Sequence, residues 1–199
     1  MFTEYIISVL MLYACIIYTG YKVSDVLSRI FSLIRTIEKS THYDPYLFAD
    51  VRLVLNEIEI LPIIILFALI LCMPFASDTL LPKILVVVSY LIGAAFDVHS
   101  TVYVLYHGKK QGFNVYELNP FLFFVNFIKT KFLLKLTFYI IEIIVITSIV
   151  SHLFRSSPPP SEIMLMGVLG IIRMMAGIHN LRTYILLLEN RSLGLYPSV

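Results

Sequence analysis

Asp97 and Thr101 stand four residues apart inside an apolar stretch, "LIGAAFDVHSTVYVLYHG". Four residues is close to one helical turn, so both side chains fall on one helix face. Glu117, Asn119 and Pro120 follow in "YELNPF", then Lys135 in the next apolar run and Asn180 late in the last one. Carboxylate, hydroxyl and amide oxygens are hard ligands, suited to a small cation such as Na⁺, Ca²⁺ or Mg²⁺ rather than to a soft metal. Lys135 argues against a highly charged cation, because it already neutralises one acid. A proton is the other candidate cargo, since an acid beside a lysine in a partly dry site can exchange one at working pH. Asp97, Thr101, Glu117, Asn119, Lys135 and Asn180 are therefore the candidates for an ion or polar-ligand site, expected to converge on one pocket open to the cytoplasm with Lys135 close to Asp97. Glu142 and Arg173, each near the middle of its own apolar run, are the candidate intramembrane ion pair.

Catalysis reads poorly. Glu117 or Asp97 could act as a general base on a lipid, with Lys135 or Arg173 holding its headgroup. Yet there is no GxSxG and no HExxH, and Cys15 and Cys72 sit in apolar runs with no evident base. The five histidines, His42, His99, His107, His152 and His179, are scattered rather than spaced as metal ligands. The sequence assigns no catalytic residue, no metal and no cofactor. No P-loop, dinucleotide fingerprint or basic tract points to nucleotide or nucleic acid.

The elements that must position these residues are membrane helices. The chain has 199 residues, 59% of them hydrophobic and only 14% charged, with a mean hydropathy of +0.88. Soluble domains carry roughly a quarter charged residues. Several stretches reach the ~18–20 apolar residues that cross a bilayer. The reading is all-α: a single polytopic bundle with about five transmembrane helices at 4–21, 58–75, 82–106, 130–154 and 162–189. The first span lacks a basic n-region and a cleavage site, so it is expected to be retained. The second is expected to start or kink at Pro62. The segment 119–129, "NPFLFFVNFIK", is too short to cross and reads as re-entrant or interfacial. "SSPPPS" at 156–161 is a hairpin breaker.

Residues 22–57 form an amphipathic surface segment. Val23, Val26, Leu27, Ile30, Phe31, Ile34 and Ile37 recur at helical spacing, with Asp25, Ser28, Arg29, Ser32, Arg35 and Glu38 opposite. "HYDPY" at 42–46 interrupts the pattern before Leu47, Phe48, Val51, Val54, Leu55 and Ile58 resume it. Its expected role is to cover the rim of the bundle, with partner docking as the alternative.

Orientation follows from Lys and Arg. With five spans, the loops 22–57 and 107–131 and the C-terminal end share one side and hold eleven basic residues, against Lys83 and Arg155 on the other. The expectation is a cell-membrane protein with its N-terminus outside and its C-terminus in the cytoplasm.

Three helices offer polar stripes. Tyr90, Gly93, Ala94, Asp97, Thr101 and Val104 share one face, whose small residues permit close helix approach. His99 points about 200° away. Lys131, Lys135, Tyr139 and Glu142 share a second, and Gly170, Arg173, Gly177, Asn180 and Tyr184 a third. A charge inside a span costs roughly 2.5–3.5 kcal/mol, so these stripes should meet one another.

The pattern D-x-x-x-T, a glycine, E-x-N-P, a lysine in the next span and an asparagine late in the last resembles a family of small prokaryotic multi-span membrane proteins of unknown function. The matching positions are Asp97, Thr101, Gly108, Glu117, Asn119, Pro120, Lys135 or Lys131, and Asn180, within 82–189. The insert "KKQGFNVY" lengthens the loop before Glu117. The resemblance implies that these residues act together and implies no activity. The leading functional reading is a structural or accessory subunit that meets other membrane subunits. Binding or transport of a small cation, proton or polar ligand through a cytoplasm-facing pocket is the alternative, and an intramembrane lipid enzyme is third.

Overall fold

The computed structural model describes residues 21, 24–40, 42–72, 80–117, 120–155 and 158–195. The expected first span, 4–21, lies outside them but for Tyr21, as does Asn119. Among the described residues every regular element is helical.

Helix α1 covers 24–39. Helix α2 is Pro45–Cys72, α3 Leu80–Lys110, α4 Lys131–Arg155 and α5 Pro160–Ser192, with a short 3₁₀ turn at Pro120–Phe127 before α4. The four long helices are each apolar enough to cross a membrane. At 1.5 Å per residue, α5 is about 50 Å long, so it extends past a ~30 Å hydrocarbon core.

Local chemistry sets the helix ends. Pro45 follows Asp44, whose carboxylate accepts from the Tyr46 and Leu47 amides at 3.0 and 3.3 Å. The Thr130 hydroxyl accepts from Leu133 N–H at the start of α4. Extended Pro159 and helical Pro160 start α5. Both α3 and α5 end on a left-handed glycine, Gly112 (φ 82°) and Gly194 (φ 72°). The amides of Phe113 and Leu195 turn back to the carbonyls of Gly108 and Asn190, each at 2.9 Å, as in a Schellman cap.

One expected boundary moves. The second span does not begin near Pro62: α2 starts at Pro45 and runs through it. A proline within a helix removes one backbone hydrogen bond, and neighbouring packing can carry the helix across the gap. Val51, Ile58, Leu61 and Ile65, on both sides of Pro62, are buried in the core.

The apolar face of α1 closes onto the bundle. Val26, Ile30, Ile34 and Ile37 are at most 3% exposed and share the main core with α2, α3 and α5. Arg29 bridges to Glu57 of α2 at 2.7 Å. α1 therefore covers the bundle with this face.

The closest pairing is α3 with α5. A Cβ added at Gly93 would lie 1.9 Å from the Gly170 carbonyl oxygen. One at Gly177 would lie 2.7 Å from the Phe96 carbonyl carbon. Side chains are excluded from these contacts, which is how small residues bring membrane helices together. The Ser89 hydroxyl donates to the Gly167 carbonyl at 3.2 Å beside them. Helix α4 is peripheral: only 11% of its most apolar window is buried. A small apolar cluster of Val98, Val102, Leu105, Val125, Leu134 and Phe138 ties its first half to α3 and the 3₁₀ turn.

Candidate functional site

Arg173 on α5 is the hub of the polar interior. Its Nε and Nη2 both donate to Asp97 Oδ2 on α3, at 3.0 and 2.7 Å. Its Nη1 reaches Glu142 on α4 at 2.5 Å to Oε1 and 2.6 Å to Oε2. The Tyr90 hydroxyl completes the group, accepting from Arg173 Nη1 at 2.9 Å and donating to Glu142 at 3.0 Å. The side chains of Arg173, Asp97 and Glu142 are 24%, 23% and 14% exposed, so solvent screens the cluster little. One guanidinium between two carboxylates uses its planar fork of donors in a way a lysine could not.

The chain of hydrogen bonds continues toward the end of the bundle where α3 and α5 finish. Thr101 donates to Asp97 Oδ1 at 3.3 Å and accepts from Asn180 Nδ2 at 2.9 Å. Thr101 and Asn180 then line a cavity of about 430 Å³ with Glu117, Asn114, His179 and Thr183. The loop that carries Glu117 is held by Asn126, whose side chain accepts from Glu117 N–H at 2.7 Å and donates to its carbonyl at 3.0 Å. Gly108 makes room for that loop, since a Cβ there would meet Val115 at 2.8 Å.

Of the candidate residues, Thr101, Glu117 and Asn180 meet in one cavity, and Asp97 stands one hydrogen bond away. Lys135 does not pair with Asp97: Arg173 takes that place, and no carboxylate pairs with Lys135 among the described residues. Arg173 reaches Asp97 because Gly170 and Gly177, on the same face of α5, bring its backbone against α3. Asp97 is thereby committed to Arg173 and Thr101. Among the described residues no group of three His, Cys, Asp or Glu is placed to hold a metal ion.

A second cluster escaped the sequence reading. Glu38 lies on the polar face of α1, yet its side chain is only 9% exposed. It accepts from the Tyr184 hydroxyl at 2.7 Å and lies 3.4 Å from His107 Nδ1. His107 Nε2 stands 3.0 Å from Lys131 Nζ. An ammonium can only donate, so Nε2 accepts and Nδ1 carries the proton toward Glu38. Tyr103 stacks on the His107 ring at 4.1 Å between centroids. The available signal was Tyr103 and His107 one turn apart on α3, with Tyr184 continuing the polar face of α5.

The outer ion pairs join α2 to α5. Arg52 holds both oxygens of Glu189 at 2.6 and 2.7 Å, and Arg182 holds Glu59 at 2.6 Å. They fix the end of the bundle around the cavity.

The chain matches no family model, no curated protein and no solved structure.

Proposed function

We propose that this is an integral membrane protein that holds a small polar solute in the cavity of Thr101, Glu117 and Asn180, entered from the cytoplasm. The observation that carries the reading is the cavity itself. Three residues remote in sequence converge there, and its 430 Å³ falls in the range of small-ligand sites. The solute is one that accepts and donates hydrogen bonds and carries an amine or other positive group toward Glu117. Asp97 is a positioning residue in this scheme: through Thr101 it orients the amide of Asn180. Cytoplasmic placement rests on the basic residues clustered at this end. The same residues carry the family resemblance, and joint action in one site gives that pattern a physical reason.

Melting of the purified protein in detergent, with a panel of amino acids, polyamines, sugars and monovalent salts, tests the reading. A solute that raises the melting temperature of the wild type, and no longer does so in Thr101→Val or Asn180→Leu, supports it. A panel without effect, with both variants as stable as the wild type, counts against it.

A second reading, an accessory subunit, is favoured by α4. Its exposed Ile140, Ile143 and Ile144 form an apolar strip away from the bundle. Co-purification of a stoichiometric membrane partner, lost when this strip is changed, would favour that reading over the first.

A further inference from the structure

A separate groove of about 660 Å³ lies between the end of α3, the 3₁₀ turn and the start of α4. Lys109, Lys110 and Lys129 line it, along with Tyr106, Phe127 and Leu134, and no acidic residue does. We propose that this groove binds the phosphate of an anionic membrane phospholipid.

Charge is the first argument. Elsewhere at this end of the bundle Arg29, Arg52 and Arg182 each close on a carboxylate at 2.6–2.7 Å, whereas no carboxylate lines this groove. Three ammonium groups around one groove repel each other unless an anion sits among them. Lys109 is held in place by a 2.8 Å hydrogen bond to the Asn126 carbonyl, with two further N–H donors to offer. Lys110 and Lys129 are exposed.

Depth is the second argument. Phe127 lines the groove, and it and Phe123, Phe124 and Phe132, on the same 3₁₀ turn and at the start of α4, are 50–73% exposed. Such an apolar skirt sits in the acyl region while the lysines stand at the headgroup level. A soluble anion has no use for those rings, whereas a lipid lays its chains along them. A lysine cluster on the cytoplasmic side is also where anionic lipids are met.

The test is native mass spectrometry of the purified protein with phosphatidylglycerol, with phosphatidylcholine and with inorganic phosphate. A phosphatidylglycerol adduct on the wild type is expected, at least fivefold weaker in Lys110→Gln/Lys129→Gln and unchanged in Lys83→Gln at the opposite end. Equal adducts in the double variant and the wild type would overturn the proposal. So would phosphatidylcholine binding as well as phosphatidylglycerol. Inorganic phosphate that displaces the lipid and is retained in its place would assign the groove to a soluble anion instead. Should the double variant fail to fold, photoactivatable phosphatidylglycerol on the wild type decides. Crosslinks concentrated within 105–134 support the groove, and crosslinks spread evenly over the spans refute it.

Discussion

Gly93 and Gly170 meet backbone to backbone, so close that a Cβ on Gly93 would stand 1.9 Å from the Gly170 carbonyl oxygen. That contact sets the distance between α3 and α5, and hence whether Arg173 can reach Asp97.

Gly93→Ala should therefore cost about 3 kcal/mol or more, because backbone cannot move aside as a side-chain tip can. The melting temperature in detergent should fall by on the order of 10 °C. Gly112→Ala is the contrast: its Cβ meets nothing within 4 Å, and only its φ of 82° is strained. The cost there should be about 1–2 kcal/mol. A Gly93→Ala protein as stable as Gly112→Ala would mean that the two helices do not touch at this point.

Arg173→Met leaves Asp97 and Glu142 facing each other without their cation. Breaking a buried pair costs about 3–5 kcal/mol, and partial exposure brings the expectation to about 2–4 kcal/mol. Adding Asp97→Asn and Glu142→Gln should restore a large share, since the triple variant removes the unpaired charges. Chemical denaturation of the two variants measures this, and a triple variant no more stable than Arg173→Met would refute the charge argument.

Glu38→Leu should loosen α1. The substitution takes the acceptor from Tyr184 and the partner from His107, leaving buried donors unsatisfied at about 1–3 kcal/mol each. Hydrogen exchange over 24–39 should rise while the α3–α5 contact stays protected. Glu38→Gln keeps an acceptor and should exchange at close to the wild-type rate.

Cysteine labelling tests topology. With Cys15 and Cys72 replaced by alanine, single cysteines at Lys110 and at Leu195 should react with an impermeant maleimide only after the membrane is opened. One at Glu162, at the far end of α5, should react in intact cells. The reverse pattern would invert the orientation.

The order of the residues along the chain was enough to establish the helical class, because apolar runs of bilayer length leave no other way to satisfy the backbone in lipid. The prolines of 156–161 also marked the break before α5, whereas the ends of α3 and α5 at Gly112 and Gly194 came from the structure. The polar stripes were legible too, since periodicity tells which residues share a face. Periodicity does not tell which face meets which, or at what height. Those were decided in three dimensions, where the glycine contacts draw α3 onto α5 and put the fork of Arg173, rather than Lys135, on Asp97. In the same way Glu38 reads as a surface residue on α1 alone and becomes buried only when Tyr184 and His107 close over it. A helix pattern encodes direction around its own axis, whereas the partner at the end of a side chain is chosen by the packing of whole helices.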